Sequence, residues 1–403
     1  MFWERKLASW AADLREHRNL PARVSLWNGQ SHDLGVFRQP AVTLHAKTAA
    51  VMRLLLAPRL DTLGEAYVQG KIDLEGDLTD IVDIGYALAM AAPQAQGRLH
   101  RLARHPTHSK ASDLRTVRQH YDVSNDFYRL WLDRRMVYSC AYFENGDEDL
   151  ATAQQKKIDH ILAKIQLKPG QTLLDIGCGW GALVIRAARK FGARCVGITL
   201  SKNQFEWATE LVKARGLTDR IEIRLQDYRD ISGRFDRITS VGMFEDVGRQ
   251  NLAEYFAHVE GLLAEDGVLM NHGITSTDAE SGETPYGGGV FIDKSAFPDG
   301  ELPHLSLTLN SMQKGGLEAF DVENLRKHYA QTLRLWSANY EANAAKLREL
   351  VDEKTFRIWR LYLAGCAHAF ENDEVAIYQI VARKAGIRAS KLPWSRRYIY
   401  APN

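Results

Sequence analysis

Cysteine is scarce in this chain, and its spacing excludes the small disulfide-held and zinc-bound classes of domain. Four cysteines occur among 403 residues, at positions 140, 178, 195 and 366. No two of them form a C-x-x-C pair or stand at the spacing of zinc ligands. We therefore expect reduced thiols, as in the cytoplasm, and no structural metal site.

Long apolar runs are also lacking. No stretch approaches the roughly eighteen consecutive apolar residues of a membrane-spanning helix. The first six residues, Met-Phe-Trp-Glu-Arg-Lys, carry charge and lack the apolar core of a secretory signal. The sequence therefore predicts a cytoplasmic protein with neither a signal peptide nor a spanning helix.

The chain also has no marked excess of charge of one sign, since it contains 52 basic and 50 acidic residues. Nucleic acid is not an expected partner, because domains that bind it are usually strongly basic. Positive charge is concentrated in residues 98–118, which contain six Arg or Lys residues and one acid, Asp113. This basic stretch is either a solvated connector or a patch that faces anionic lipid headgroups.

The most informative motif that is present is a glycine-rich turn. Leu173–Ile176 is typical of a buried parallel strand, and Ala182–Lys190 is typical of the helix that follows one. Residues 177–181 between them read Gly-Cys-Gly-Trp-Gly and directly follow the strand that contains Asp175. Glycines let the backbone approach a ligand too closely for any Cβ. In open α/β sheets, ligands bind at this end of a strand.

The spacing of this turn distinguishes among cofactors. A dinucleotide site would have its third glycine one residue later, and an acid about twenty residues further on. Here the next strand-like run, Arg194–Ile198, ends in Thr199-Leu200-Ser201 without an acid, and no P-loop Gly-Lys-Ser/Thr occurs. A G-x-G-x-G turn after an acid better suits S-adenosylmethionine (SAM), which has no pyrophosphate. Taken alone, the turn is also compatible with a structural β-turn.

Strand-like runs alternate with helical stretches through the middle of the chain. After the glycine turn, the runs are Arg194–Ile198, Ile221–Leu225, Phe235–Val241 and Gly267–His272. This alternation indicates βαβ units. We therefore predict an α/β fold with a Rossmann-like domain built on a mostly parallel sheet. A length of 403 residues exceeds what one core usually supports, so two domains are expected.

The first hundred residues have a different character. Arg23–Trp27 and Ala41–Ala46 are typical of strands, Asn28-Gly29 predicts a hairpin turn, and Thr48–Leu56 predicts a short helix. The opening segment predicts a helix whose apolar face either packs within its own domain or lies at a bilayer surface. That face consists of Trp3, Leu7, Trp10 and Leu14.

Four further segments make a more specific pattern. They read Gln-His-Tyr-Asp-Val-Ser-Asn-Asp-Phe-Tyr at 119–128, Tyr-Ser-Cys-Ala-Tyr-Phe at 138–143, Phe-Pro-Asp-Gly-Glu-Leu-Pro at 297–303 and His-Tyr-Ala-Gln-Thr-Leu at 328–333. With Leu174–Gly181, they resemble the cyclopropane-fatty-acyl-phospholipid synthases, relatives of the mycolic-acid cyclopropane synthases. The resemblance extends from about residue 110 to the mid-380s, and more weakly through the first hundred residues.

This resemblance implies an enzyme that forms a cyclopropane ring at the cis double bond of an unsaturated phospholipid acyl chain, using SAM. It implies a small N-terminal α+β domain with a linker, residues 1–105, that assists phospholipid engagement. Residues 106–403 would form the SAM-dependent methyltransferase domain. The protein would be a homodimer in the cytoplasm, peripheral to the inner membrane face.

The resemblance also implies two sets of site residues. Expected SAM contacts are Tyr121, Tyr138, Ser139, Asp175, Gly177, Gly179, Thr199, Leu200, Gln204, Gln226 and Asp227. The base that removes a methyl proton would be bicarbonate, held by Cys140, Glu245, His272, Ile274 (through its backbone) and Tyr329. Glu245 is expected to accept the bicarbonate O–H. Alone, each of the five has an ordinary structural explanation, and the prediction rests on their joint occurrence in matching segments.

One position departs from the family pattern, and one segment is unusually long. Asp246 stands where the family usually has histidine, so we expect that Asp246 either faces away from the site or changes substrate choice. Residues 275–320, rich in Gly, Pro and Ser, predict a lid and wall of an acyl channel, with ordinary core packing as the alternative.

Three other functions compete with ring formation. A related methyltransferase could leave a methyl or methylene branch on a lipid, or methylate a small amine, although an amine would not need the bicarbonate set. A lipid-binding module could retain SAM as a relic, against which the intact glycine turn weighs. A nucleotide-dependent oxidoreductase lacks its ribose-binding acid.

Overall fold

The computed structural model describes residues 2–92, 110, 123–279, 288–295 and 301–400. The strands within these ranges belong to two separate sheets, one of four strands and one of seven. The expected domain boundary at 105/106, Tyr121 and almost all of the basic stretch lie outside the described residues. Within them, no helix combines the length and the apolar character needed to cross a bilayer.

The four-stranded sheet lies in the first hundred residues. Its strands are β1 (Ala22–Leu26), β2 (Ser31–Asp33), β3 (Val42–Ala46) and β4 (Ile72–Gly76), in the order β2-β1-β3-β4. Helices α1 (Phe2–His17), α2 (Met52–Leu56), α3 (Leu60–Val68) and α4 (Leu78–Ala91) complete this region. The predicted hairpin is confirmed, because β1 and β2 pair antiparallel around Gly29, whose φ is 83°. On α1, Leu7 and Leu14 are buried against this sheet's core.

The seven-stranded sheet has the order β10-β11-β9-β8-β5-β6-β7. Its strands are β5 (Thr172–Ile176), β6 (Arg194–Thr199), β7 (Ile221–Leu225), β8 (Phe235–Val241), β9 (Leu263–Ser276), β10 (Leu317–Asn324) and β11 (Val375–Lys384). Strands β5 to β9 pair parallel, whereas β10 and β11 pair antiparallel. The α/β fold with a mostly parallel sheet is therefore confirmed.

The helices after residue 123 precede, alternate with and follow these strands along the chain. They are α5 (Asn125–Arg129), α6 (Leu150–Lys164), α7 (Ala182–Phe191), α8 (Lys202–Ala214), α9 (Leu252–Leu262), α10 (Gly288–Ser295), α11 (Leu305–Lys314), α12 (Arg326–Ala342), α13 (Ala344–Leu350), α14 (Glu353–Glu371) and α15 (Arg397–Tyr400). Because β5 to β8 are parallel, their carboxyl ends share one edge of the sheet, where a ligand site is expected.

One strand differs from its prediction. β9 spans Leu263–Ser276, whereas the predicted strand covers only Gly267–His272. The residues just before Gly267, Ala-Glu-Asp at 264–266, are of the kind that favours a turn. The extra residues pair with neighbouring strands: Leu263 pairs with Phe235, and Ser276 pairs with Val375. A register shift next to Phe235 accommodates the turn-like residues. Tertiary pairing thus overrides the local preference for a turn.

The described parts of segment 275–320 contain helices rather than a long loop. Helix α10 packs against α3 of the N-terminal region, where a Cβ added at Gly64 would lie 2.8 Å from Phe291. On α14, Arg357 donates to the Tyr67 carbonyl over 2.8 Å and to Asp73 over 2.7 Å. The N-terminal region is thus fixed against α10 and α14. The lid role of residues 275–320 stays a prediction.

Candidate active site

The glycine turn that follows β5 has a backbone that only glycine adopts without strain. Gly177, Gly179 and Gly181 have φ of 77°, 53° and 87°, in the left-handed region. The N–H groups of Gly177 and Cys178 donate to the Ile198 carbonyl over 3.0 and 2.9 Å, which ties the turn to β6. A Cβ on Gly177 would lie 3.2 Å from the Met243 side chain. The turn therefore keeps open a space that side chains would fill.

A cavity opens over this turn, at the carboxyl ends of the parallel strands. Nine of the eleven expected SAM contacts line it, namely Tyr138, Ser139, Asp175, Gly177, Gly179, Thr199, Leu200, Gln204 and Gln226. Asp227 is not among the lining residues; it instead forms an ion pair of 2.7 Å with Arg229. Tyr121 lies outside the described residues. The structure thus brings together residues that are spread over about ninety positions of the sequence.

Two buried charged residues face this cavity. Asp175 accepts a hydrogen bond of 2.7 Å from Thr239, and burial raises its pKa to about 6. Lys157, on α6, donates to the Ser139 hydroxyl over 2.6 Å. Burial lowers the pKa of Lys157 to about 8, so both groups are mostly charged at pH 7. The cavity therefore offers one negative and one positive group to a ligand.

Sequence reasoning missed Lys157. The signal that could have found it is its place on α6, where it aligns with the buried Ala153 and Ile161 at four-residue intervals. A lysine on the buried face of an amphipathic helix is rare unless it is paired.

The polar residues at the end of β6 are held by each other. Thr199 donates to the Gln204 side-chain oxygen over 2.7 Å, and Ser201 caps α8 by accepting from the Gln204 backbone N–H over 3.3 Å. On the next strand end, Gln226 donates to the Asp230 carbonyl over 2.8 Å. These contacts fix amide and hydroxyl groups at the cavity wall in defined orientations.

Glu245 and Ile274 of the second set are in direct contact. The Ile274 N–H donates to Oε1 of Glu245 over 2.7 Å. Oε2 of Glu245 is buried and has no hydrogen-bond partner among the described residues. Burial, with a smaller contribution from the negative charge of Asp246, raises the Glu245 pKa to about 8. At pH 7 this carboxyl is mostly the neutral acid.

His272 stands two residues before Ile274 on β9, and its side chain is buried. Its Nδ1 lies 3.0 Å from Nε2 of Gln379, while its own Nε2 is buried without a partner in the described part of the chain. Burial lowers the His272 pKa well below its usual value, and the positive charge of Lys157 contributes. The imidazole is therefore neutral.

Cys140 and Tyr329 are buried in the same hydrophobic cluster, and the partly buried Ile274 packs against it. Cys140 lies beside Ala141, whose N–H donates to the Thr332 hydroxyl of α12 over 3.0 Å, while Tyr329 is on the same helix. Burial raises the Cys140 pKa, so this residue is a thiol rather than a thiolate nucleophile. None of the five residues of this set lines the cavity over the glycine turn.

Asp246 lines the same cavity as the glycine turn. It ends the short 3₁₀ helix Phe244–Asp246, which is joined to β8 by Gly242 and Met243. The expectation that Asp246 faces away from the site is therefore wrong, and the alternative, an effect on substrate choice, stays a prediction.

Comparisons with known proteins agree with this geometry. A family model described as mycolic acid cyclopropane synthetase matches residues 108–380, and a model for a domain of unknown function matches residues 9–95. A probable fatty acid methyltransferase of Pseudomonas putida is 46% identical over 385 residues, covering 95% of this chain and 97% of that protein. Cyclopropane mycolic acid synthase 1 of Mycobacterium tuberculosis is 37% identical over 276 residues, covering 66% of this chain and 96% of that protein.

A solved structure is similar as well. The crystal structure of the mycolic acid cyclopropane synthase CmaA1 in complex with S-adenosylhomocysteine (SAH) and CTAB aligns with a TM-score of 0.64 at 37% identity. The alignment covers 67% of this chain and 98% of that one. The cavity over the glycine turn, the mostly parallel sheet and these matches lead to one conclusion: the chain belongs to the cyclopropane synthase family of SAM-dependent methyltransferases.

Proposed function

We propose that this protein forms a cyclopropane ring at the cis double bond of an unsaturated phospholipid acyl chain, with bicarbonate as the base. SAM supplies an electrophilic methyl group, which the π-bond attacks to give a carbocation on the acyl chain. Loss of one methyl proton then closes the ring, so the lipid gains CH₂ overall and SAH and a proton are released. The observation that carries the proposal is that Oε2 of Glu245 and Nε2 of His272 are both buried and have no hydrogen-bond partner among the described residues.

The cavity over the glycine turn fits the cofactor. Gly177 keeps backbone exposed where a Cβ would meet Met243 at 3.2 Å. Asp175 and Lys157 offer opposite charges to the amino-acid end of SAM, which carries both signs. Amide groups of Gln204 and Gln226 stand at the strand ends, where adenine edges are often met. Nine of the expected contacts already surround one space, which supports their proposed role.

The donor set of Glu245 and His272 fits a small anion. Because Gln379 donates to Nδ1 of His272, the neutral ring carries its proton on Nε2. With a pKa of about 8, Glu245 carries a proton at pH 7, and Oε1 already accepts from Ile274. Glu245, through its carboxyl O–H, and His272, through its Nε2–H, then each offer one donor, and neither carries a charge. Glu245 would therefore donate to bicarbonate rather than accept from it, in contrast to the sequence-based expectation.

The surroundings of Tyr329 suit a carbocation. Its ring lies 4.6 Å from that of Phe370 and 6.0 Å from that of Trp336, both centroid to centroid. Aromatic faces attract cations without forming a bond to them. The neutral thiol of Cys140, in the same cluster, is a weak nucleophile. Such walls stabilise the cation and leave proton removal to the base.

A second candidate product is a methyl- or methylene-branched lipid. The observation that favours it is the name of the 46% identical relative, a probable fatty acid methyltransferase. Both products begin with the same methyl transfer. They differ in which proton leaves, and a saturated methyl branch needs a reductant as well.

The test incubates the purified protein with SAM and vesicles of cis-monounsaturated phospholipid, then weighs the released acyl chains. A gain of CH₂ without hydrogen uptake on mild hydrogenation identifies a ring. A gain of CH₂ with uptake of one H₂ identifies a branched alkene, and a gain of CH₄ identifies a saturated methyl branch. Absence of any gain, with SAH still bound by the protein, would point to a different acceptor and contradict the proposal.

We further propose that the protein is a homodimer that contacts the inner membrane face peripherally. Residues 1–105 would assist phospholipid engagement, and residues 106–403 would carry the chemistry. Light scattering tests the dimer, and co-sedimentation with anionic vesicles tests the membrane contact.

A further inference from the structure

Lys157 is a buried cation with no carboxylate in contact in the part of the chain that the structure describes. Its side chain is 2% exposed, and its Nζ donates to the Ser139 hydroxyl over 2.6 Å. Among the described residues it forms no ion pair, although Asp133 and Asp175 attract it from further away. A buried ammonium without a close counter-charge is costly.

A second buried lysine of the same helix, Lys164, allows a comparison, because it pairs with carboxylates. Lys164 is also buried on α6, and two carboxylates of β10 pair with it, Glu323 at 2.6 Å and Asp321 at 3.4 Å. Lys164 thus has two carboxylates within ion-pair distance. Lys157 has none among the described residues, and Lys157 alone of the two lines the cavity.

The other polar groups near Lys157 indicate which kind of ligand would pair with its ammonium. Ser139 and Asp175 line the same cavity, and Asp175 is ionised for the most part at pH 7 because its pKa is about 6. The cavity wall therefore contains the Lys157 ammonium hydrogen-bonded to the Ser139 hydroxyl and, at a separate position, the Asp175 carboxylate. An α-amino acid carries the complementary pair, a carboxylate and an ammonium.

We propose that Lys157 binds the carboxylate at the amino-acid end of SAM and at the same time positions the Ser139 hydroxyl against it. This inference rests on the proposed use of SAM. It assigns the cation of the cofactor site to α6, outside the glycine turn and the strand ends. Recognition of the carboxylate then depends on a helix that precedes the first strand of the seven-stranded sheet.

The experiment compares two ligands by isothermal titration calorimetry. SAH contains the amino-acid end, whereas 5′-methylthioadenosine has the same adenosine and sulfur without it. In Lys157→Met, which replaces the ammonium by an apolar chain of similar length, we expect the Kd for SAH to rise about 10- to 100-fold, as for loss of a charged hydrogen bond. The Kd for methylthioadenosine should stay within about twofold of wild type.

Two further variants sharpen the comparison. Lys157→Gln keeps a donor for Ser139 but removes the charge, and its affinity for SAH should lie between those of wild type and Lys157→Met. Lys156→Met is the matched control, because Lys156 is next in sequence but pairs with Glu144 and Glu148 outside the cavity. It should bind both ligands as wild type does. Thermal unfolding of each variant checks that the fold is retained.

Equal loss of affinity for both ligands in Lys157→Met would show a structural role and overturn the inference. Unchanged SAH affinity in that variant would overturn it as well, while leaving the proposed function intact. If wild type bound neither ligand, the proposed use of SAM would fail first, and the inference with it.

Discussion

Nε2 of Gln379, on β11, lies 3.0 Å from Nδ1 of His272, on β9, and donates a hydrogen bond to it. The two residues are direct neighbours across the antiparallel pair, and both side chains are buried. A donor at Nδ1 leaves the proton of the neutral ring on Nε2, the nitrogen without a partner among the described residues. Gln379 thereby fixes which nitrogen of His272 can donate to a ligand.

Gln379→Met should lower kcat by about tenfold, the effect of losing one buried hydrogen bond. The ring would no longer be held in one tautomer, whereas the KM for SAM should not change, because Gln379 does not line the cofactor cavity. Steady-state kinetics with labelled SAM measures both values. Gln313→Met, at an exposed position of α11, is the matched control. An unchanged kcat, or a rise in KM alone, would contradict the positioning role.

Activity should fall as pH rises through about 8. The pKa of Glu245 is raised to about 8, so below that pH the carboxyl is a neutral donor, and above it a buried anion that repels another anion. The pH profile of kcat measures this limb. Glu245→Gln keeps a donor at all pH values and should remove the limb, whereas Glu245→Ala should lose activity throughout. If activity still fell at alkaline pH in Glu245→Gln, the titrating group would not be Glu245.

The same pKa predicts a stability difference. Because the folded-state pKa of Glu245 lies above its ordinary value of 4.5, the unfolded chain ionises first as pH rises. The contribution of Glu245 to stability therefore falls between about pH 4.5 and 8 and is constant above that window. Relative to wild type, the Tm of Glu245→Gln should rise across this window, as measured by thermal unfolding. A difference in Tm that is independent of pH would argue against the raised pKa.

Gly177→Ala should weaken SAH binding in addition to destabilising the fold. A left-handed φ costs a residue with a Cβ about 1–2 kcal/mol, and here the Cβ would also meet Met243 at 3.2 Å. Gly216→Ala is the matched control, since Gly216 has a φ of 65° and no atom of the described residues lies within 4 Å of the added Cβ. Both variants should lose Tm, but only Gly177→Ala should lose SAH affinity. If Gly177→Ala and Gly216→Ala bound SAH with equal affinity, the role of the glycine turn would be only structural.

Asp246→His, which restores the family residue, should move the alkaline limb of activity to lower pH. The charge of Asp246 raises the Glu245 pKa, so its removal lets Glu245 ionise earlier. Asp246→Asn separates loss of charge from gain of an imidazole, and should shift the limb in the same direction. Product analysis of both variants tests the predicted effect on substrate choice. Kinetics and product identical to wild type would mean that this cavity residue is silent.

The sequence pattern predicted the strand, the glycine turn and the following helix of the site, because each depends on residues that are close together in the chain. The strand Thr172–Ile176 and the helix Ala182–Phe191 lie within two residues of their predicted ranges, because an apolar run, three glycines and an amphipathic stretch each act over a few residues. The same holds for Ile221–Leu225 and Phe235–Val241, which match their predictions. The resemblance added the residues at the other strand ends, and nine of the eleven lie around one cavity.

Longer-range contacts were not predictable in this way. The spacing of Lys157 with Ala153 and Ile161 indicates burial but does not show that this side of α6 faces the cavity. The early start of β9 depends on its neighbours in the sheet. Asp246 was expected by one alternative to face away, yet the short 3₁₀ helix after β8 turns it into the cavity wall. For Lys157 and for β9, the deciding contact is made by a segment distant in sequence.

The sequence by itself determined the nature of the cofactor turn, because left-handed glycines after a buried strand specify their backbone locally. It did not determine which buried polar atoms are left without partners. His272 meets Gln379 107 residues away, and Glu245 meets the Ile274 N–H 29 residues away. Only strand register and helix packing, which are properties of the whole fold, decide that Oε2 of Glu245 and Nε2 of His272 are among the buried atoms without a hydrogen-bond partner in the described structure. On that pair the proposed chemistry depends.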